Sequence, residues 1–307
     1  MLVSIIIPTK NEAETIANII NGIREVFDQL PYKLHEIYIV DDSRDETRKV
    51  AEKLGAIVII GGGRGLGYAM FKALKVVSRS TCDVILSIDG DGQADLKEIP
   101  KFLSTLEKSN SDLVLGSRFL SKGSVKYKYR MRNRFGTIAL SYILRMITKL
   151  PLTDSHGGLR AMRREVPEEL EMIGTHSYVQ ETIIDAVEKG FKVTEIPSVW
   201  HVRQFGSSKV VASIFSYICY ILPVLIVRGR YHLKGFFIAG LITLGLAFCD
   251  LGYVFFDTNF NFQAMLDRQS FHLFFLLLIF GFNLFFFGLA TELLSLALKG
   301  INKNEFR

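Results

Sequence analysis

At 307 residues the chain has room for about two domains. Its net charge of +6, with an isoelectric point near 9.1, suits a membrane surface or a phosphate-bearing substrate, and does not by itself separate these from nucleic acid. Cys82, Cys219 and Cys249 lie far apart in sequence and show no metal spacing, which fits a reducing compartment without a disulfide framework.

Taken in order, residues 1 to about 120 alternate short apolar runs with amphipathic stretches. Strands are expected at 3–7, 36–41, 57–60, 84–88 and 112–116, and helices at about 12–29, 45–54, 66–79 and 96–108. This alternation predicts a mostly parallel α/β sheet with ligand sites at the carboxyl ends of its strands. Polar clusters fall at those ends: Pro8-Thr9-Lys10-Asn11-Glu12, Asp41-Asp42-Ser43-Arg44-Asp45 and Asp89-Gly90-Asp91-Gly92-Gln93. The first strand begins almost at Met1 with no basic leader or signal-type apolar region, so the N-terminal part is expected in the cytosol. Gly61-Gly62-Gly63-Arg64-Gly65-Leu66-Gly67 has the wrong register for a dinucleotide fingerprint and lacks the Lys of a phosphate-cradling loop. Two readings stay open for it: a turn into the next helix, or close backbone approach to a nucleotide or sugar.

From 118 to 134 the chain carries Arg118, Lys122, Lys126, Lys128, Arg130, Arg132 and Arg134 around Tyr127 and Tyr129. Such a run is either a solvated face or a surface for anionic headgroups or phosphate. Residues 210–227 hold no charge, yet Lys209 precedes them and Arg228, Arg230 and Lys234 follow. Basic residues at both ends predict a helix in the membrane interface, kinked at Pro223, rather than a crossing. Two spans are expected at 235–256 and 271–298, joined by Asp257–Ser270, and the flanking cations place both ends of this hairpin in the cytosol. Asp250 and Glu292 lie inside these spans, about 22 Å and about 9 Å from the inner end by helical rise, too far apart to pair within one hairpin. Snorkelling to the nearer face is the expectation for each.

Asp89 and Asp91, two residues apart, can converge on one hard cation, and Gln93 adds a neutral oxygen. An oxygen-only set suits Mg²⁺ or Mn²⁺ shared with substrate phosphates. Alone the pattern is no more than an acidic turn; the neighbouring polar turns give it weight.

With these residues in view the chain resembles a family 2 glycosyltransferase with the GT-A fold, and within that family the dolichyl- and polyprenyl-phosphate hexosyltransferases. The matching pieces are Ser4–Glu12, Val40–Thr47, Asp89–Gln93, Gly116–Phe119, Asp154–Arg160, Gln180-Glu181, Glu195–Pro197 and Arg203-x-x-Gly206-Ser207-Ser208-Lys209, in family order over residues 3–209. The resemblance implies a catalytic domain over 1–209, a juxtamembrane interfacial helix over 210–234 and a membrane hairpin over 235–307. It implies that Pro8, Glu12, Asp41 and nearby Asp42 line the base and ribose pocket. Asp89, Asp91 and Gln93 would hold Mg²⁺ or Mn²⁺ against the donor diphosphate. Arg118, Arg132, Arg203 and Lys209 would meet the phosphates of donor and acceptor, with Asp91, Arg118 and Arg132 carrying the catalysis. Lys10 in place of a common Tyr, and Asp-Asp-Ser in place of Asp-Asp-Gly-Ser, both touch the nucleotide pocket and leave guanine or uracil open.

The implied partners are a nucleotide-diphosphate sugar, dolichyl or polyprenyl phosphate and membrane lipid, with no nucleic acid; a homo-oligomer is compatible with the chain. The implied reaction is a single inverting displacement by a lipid phosphate oxygen already ionised near neutral pH, which needs cations and no dedicated base. His156 and His201 are therefore expected to be structural. A membrane-anchored scaffold would leave the convergence of acidic turns and cations without a purpose. A processive synthase would carry more spans and a Gln-x-x-Arg-Trp motif, whereas Trp200 sits in Val199-Trp200-His201.

Overall fold

The computed structural model describes the backbone of residues 1–305 apart from 128, 130, 206–213 and 229, with no side chains described for 132, 214–218, 226, 230–234 and 294–305. Close contacts divide the chain into two units, Met1–Ile221 and Leu222–Arg307.

The first unit is built on a seven-stranded sheet. Its strands are β1 (Leu2–Thr9), β2 (Lys33–Asp41), β3 (Ile57–Ile60), β4 (Val84–Ser87), β5 (Leu113–Ser117), β6 (Arg160–Arg163) and β7 (Val193–Pro197), in the order β3-β2-β1-β4-β6-β5-β7. Only β6 runs antiparallel, between β4 and β5. The five expected strands are all present. β6 and β7 escaped the sequence reading because they are short and carry Arg160, Arg163 and Glu195 in place of an apolar run.

Both faces of the sheet are covered, so its central strands are apolar on both sides. Val3, Ile5 and Ile7 of β1 enter a core with α1 (Ile16–Phe27), which contributes Ile16, Ile19, Ile20, Ile23 and Phe27 at helical spacing. α2 (Thr47–Lys53) and α3 (Leu66–Ser78) follow β2 and β3. A 3₁₀ turn at Leu96–Glu98 opens α4 (Ile99–Lys108), whose Pro100 sits in the first turn, where its missing N–H costs nothing. Then come α5 (Met131–Thr148), α6 (Glu165–Glu169) and α7 (Tyr178–Glu188). The parallel strands end on one edge, and every polar cluster of the sequence lies there.

α8 (Ile214–Arg228) contains Pro223 and is 15 residues long. The second unit is dominated by α9 (Arg230–Asp257) and α11 (Gln269–Glu305), with a short α10 (Phe262–Leu266) capped by the Asn261 side chain. Gly235–Asp257 and Gln269–Leu293 are candidate membrane spans: long, apolar and mostly exposed. Glycine lets the two helices touch: a Cβ on Gly240 would sit 2.6 Å from the Phe285 nitrogen, and one on Gly281 would meet Leu244. Glu292 is exposed on α11, whereas Asp250 Oδ2 is buried with no hydrogen-bond partner among the described residues.

Candidate active site

The ends of β1 and β2 are laced together. Asp41 is fully buried; its Oδ1 accepts from Thr9 Oγ1 at 2.8 Å and Ser43 Oγ at 2.5 Å, and its Oδ2 faces Arg48 at 3.2 Å. Asn11, held at φ 54°, donates its N–H to Ser43 and accepts from the Arg44 N–H at 2.8 Å. The Glu12 N–H donates to Thr47 Oγ1 at 2.9 Å. Asp41 is thus spoken for by the protein, while Asp42 turns to the glycine loop and accepts from the Gly63 N–H at 2.9 Å. That loop explains its own glycines: a Cβ on Gly65 or Gly67 would meet Thr175 and His176 at 2.6–2.9 Å, and one on Gly61 would meet the Asp42 carboxylate at 2.7 Å. Its close approach is to protein, which favours the turn reading over a ligand cradle.

Beyond β4 the chain turns sharply through Gly90, whose carbonyl accepts from Thr15 Oγ1 at 2.9 Å and whose missing Cβ would meet the Pro8 carbonyl at 2.8 Å. The turn therefore lies against the β1 end, bringing Asp89 and Asp91 towards Glu12. Asp91 Oδ1 accepts from the Gln93 N–H at 3.1 Å, and Gln93 Nε2 donates to the His201 carbonyl at 3.0 Å. Ala94 and Val125 both bridge to Trp200, so residues 199–201 form a strut across the site.

Arg203 extends from this strut and joins two carboxylates, Glu12 at 2.5 Å and Asp91 at 3.5 Å. Asp89 has a second buried cation behind it, Arg160, whose guanidinium donates to the Gly157 and Val179 carbonyls at 2.9 and 3.0 Å. Burial first, and then the neighbouring Asp91 charge, push the Asp89 carboxyl up to about 7 against the pull of Arg160, Arg118 and Arg203. Asp91 is also raised, chiefly by burial. Gly158 lets the next turn press on Asp89: a Cβ there would lie 2.0 Å from Oδ2.

Arg118 lies elsewhere in this network. Its Nε and Nη2 form a two-pronged pair with Asp154 at 2.7 and 2.8 Å, and Phe119, Tyr129 and Trp200 ring it at 5.1–5.5 Å. Burial would lower its pKa, but the hydrogen bonds and charge of Asp154 win and raise it. Asp154 is in turn fixed by Glu195 of β7, which accepts from the Asp154 N–H at 2.9 Å and from Thr153. The sequence reading gave Arg118 to a phosphate; in the fold its fork is engaged by a carboxylate. Arg132 and Lys209, expected beside it, lie outside the described side chains, as does the Gly206–Ser208 segment. Pro8 and Glu12 stand on the β1 edge, with Glu12 joined to the acidic turn through Arg203. His156 receives no charge at neutral pH: burial and then Arg118 push it down to about 4. His201 faces Asp95 at 3.3 Å.

Arg160, Asp154 and Glu195 are the residues that sequence reasoning quoted without assigning work. Their signal was a charge inside, or at the end of, a short strand, and its meaning depended on which strands became neighbours.

Asp89 and Asp91 with the Gln93 amide fit a hard divalent cation. Both carboxyls are disfavoured as anions by burial, so the place favours positive charge, and all candidate donors are oxygens. Among the described residues no group of three or more His, Cys, Asp or Glu is placed to hold a metal ion by itself.

The model of glycosyl transferase family 2 matches residues 4–171, more than half of the chain. The chain belongs to that family. Among curated relatives, family members include a dolichol-phosphate mannosyltransferase of Pyrococcus furiosus, 32% identical over 232 residues, covering 72% of this chain and 63% of that one. The low-salt glycan biosynthesis hexosyltransferase Agl6 of Haloferax volcanii is 28% identical over 202 residues, covering 66% of this chain and 48% of that protein. The chain thus matches about half of the length of Agl6. The family fold is confirmed by glucosyl-3-phosphoglycerate synthase of Mycobacterium tuberculosis, with a TM-score of 0.55 at 19% identity, covering 74% of this chain and 79% of that one. Mannosyl-3-phosphoglycerate synthase of Rubrobacter xylanophilus gives 0.55 at 19% identity, covering 76% and 75%. These support the expected GT-A architecture.

Proposed function

We propose that this family 2 glycosyltransferase moves one hexose, with inversion, from a nucleotide-diphosphate sugar to the phosphate of dolichyl or polyprenyl phosphate at the cytosolic membrane face. GDP-mannose is the first choice of donor and UDP-glucose the second. The observation that carries the reading is the acidic set Glu12, Asp89 and Asp91 at the carboxyl edge of the sheet, with Arg203 joining Glu12 to Asp91, in a chain that also holds two candidate spans. Similarity to the Pyrococcus enzyme supports the lipid-phosphate acceptor.

On this reading Asp89, Asp91 and Gln93 hold Mg²⁺ or Mn²⁺, which when bound supplies charge to a departing nucleoside diphosphate. Pro8, Glu12 and Asp42 border the nucleotide, while Asp41 braces the two loops through Thr9, Ser43 and Arg48. Arg203 serves donor and acceptor phosphates, releasing Glu12 and Asp91 as they arrive; Arg132 and Lys209 add charge for the acceptor. Arg118 is a positioning residue, which shapes the site through Asp154 and the aromatic ring cluster. The nucleophile is a phosphate monoester, ionised with a second pKa of about 6, so bringing two anions together is the task and proton abstraction is not. Neutral His156 and Asp95-paired His201 agree with that division of labour.

The test is to incubate membranes holding the full chain with labelled GDP-mannose or UDP-glucose and polyprenyl phosphate. One β-linked hexose per lipid phosphate is expected, abolished by chelator and restored by Mg²⁺ or Mn²⁺. Equal transfer to a soluble acceptor without lipid phosphate, or growth of a sugar polymer, would overturn the reading. Full turnover in excess chelator would remove the metal. Topology has its own test: cysteines placed in the 257–270 loop should react with an impermeant reagent from outside the cell, and cysteines beyond Lys299 should not.

A further inference from the structure

A hydrogen-bond donor sealed from water without an acceptor costs free energy, so each one in a folded protein calls for a reason. Trp200 is such a case on the wall of the site. It is 4% exposed, and its indole Nε1 is buried with no hydrogen-bond partner among the described residues. In the first unit Arg48 and Ser87 also hold such atoms, yet another Arg48 nitrogen reaches Asp41, and a hydroxyl can turn to a new partner. An indole has one polar atom, which can only donate. Nor can the residue swing away. Its backbone N–H donates to the Ser124 carbonyl and its own carbonyl accepts from the Lys126 N–H, both at 2.8 Å.

Its place in the site is defined on two sides. The Val199 carbonyl accepts from the Asp95 N–H at 3.3 Å, and the His201 N–H donates to the Gln93 carbonyl at 2.8 Å, so the strut is tied to the Asp91–Gln93 turn. On the other side the Arg118 guanidinium lies over the indole, 5.1 Å from the ring centre. The surroundings then name the class of acceptor. Residues 119–153 contain eight Lys and Arg and no Asp or Glu. The neighbouring carboxylate, Asp154, is already engaged by both prongs of Arg118. A donor in so cationic a place is matched by an anionic oxygen, and a bond to an ionised partner is about twice as strong as one between neutral groups.

We propose that the Trp200 indole N–H donates to a phosphate oxygen of bound substrate, a bond that the ligand-free protein leaves unmade. The donor diphosphate and the lipid phosphate offer the same chemistry, and the wall around the indole opens as the phosphate arrives. The new bond counts toward binding with no old one to break. The inference deepens the reading above and rests on its substrates, but it is read from a spectrum before it is read from turnover.

Trp200 is the only tryptophan, so the full chain labelled with ¹⁵N-tryptophan gives one indole N–H signal in detergent micelles. Without ligand the proton should lie at the upfield position of an N–H with no acceptor, and should exchange slowly with deuterium oxide. Polyprenyl phosphate is titrated in one arm, and GDP-mannose or UDP-glucose with Mg²⁺ in the others. At least one should move the proton downfield and saturate. A shift with the first assigns the bond to the lipid phosphate, and a shift with a nucleotide sugar assigns it to the donor diphosphate. A signal unmoved in every arm, or moved as far by phosphatidylglycerol, would overturn the proposal. Trp200→Phe keeps an aromatic ring and removes the N–H. It should raise KM about tenfold for the ligand that moves the signal, with kcat and the other KM changed by less than about twofold. Two unchanged KM values would overturn the proposal equally, and if the variant does not fold, the spectrum of the unsubstituted chain decides. Sugar transfer by a chain whose indole signal never moves would reject this bond and leave the proposed reaction standing. A saturable shift with polyprenyl phosphate in a chain that transfers no sugar would do the reverse.

Discussion

Arg118 and Arg203 both meet carboxylates, yet in different ways. Arg118 is 8% exposed, forks onto Asp154 and is enclosed by three aromatic rings. Arg203 stretches between Glu12 and Asp91, two carboxylates from separate loops, with the longer contact at 3.5 Å. One cation is matched by a single two-pronged partner, Asp154, whose backbone N–H is held by the Glu195 brace. The other neutralises an excess of acid that the fold has collected. Removal of the first leaves a buried charge without a partner; removal of the second leaves an anionic recess that a cation can refill.

The largest effect should follow from breaking the Arg118 pair. Arg118→Ala is expected to cost about 3–5 kcal/mol of stability, because Asp154 stays buried without its partner. Denaturant unfolding in detergent checks this, and Arg118→Lys should rescue little, since a single ammonium cannot reproduce the fork. A fully stable Arg118→Ala enzyme with only its KM for polyprenyl phosphate raised would erase the contrast with Arg203.

Next comes Asp91→Ala, expected to remain folded and to lose about a hundredfold to a thousandfold in kcat, the scale of one lost electrostatic contact at a charge-developing centre. Circular dichroism with a transfer assay separates the two outcomes. Asp89→Asn should damage donor use in the same direction.

Arg203→Ala should cost about tenfold to a hundredfold in kcat/KM, corresponding to about 1.5–3 kcal/mol for a charge-assisted contact, with little loss of stability. An unfolding midpoint lowered as far as that of Arg118→Ala would show that Arg203 is also a structural pin.

The smallest effect concerns His156. Its folded pKa of about 4 lies below the unfolded value near 6.5, so the unfolded state binds a proton over that window and the native state does not. Stability is therefore lost as pH falls from about 6.5 towards 4, by about 1 kcal/mol at pH 5.5 from this group. His156→Gln should flatten that acid limb in a pH series of melting curves. A limb unchanged by the substitution would reject the depressed histidine.

Much of this was legible in the residues. Ile5-Ile6-Ile7, Ile37–Val40 and Val84–Leu86 announce buried parallel strands because they are apolar on both faces, and Asp41 and Asp89 mark where strands stop and polar chemistry starts. β6 was not legible: Arg160-Ala161-Met162-Arg163 becomes a strand only because β4 and β5 leave a slot between them. Nor could the glycine loop be decided, since the neighbours its glycines accommodate, Thr175 and His176, are more than a hundred residues away.

By itself, then, the sequence determined the apolar strands, the turn chemistry at their ends and the two apolar stretches of membrane-spanning length, all of which follow from short-range periodicity. Tertiary structure alone decided the charges. Arg118, Arg160 and Arg203 look alike in a basic chain; burial and partners made the first a pinned structural cation, the second a countercharge behind Asp89 and the third a bridge across the site. Charge matching acts through space at a few ångströms, and contacts such as Glu12 to Arg203 join residues that no sequence window contains.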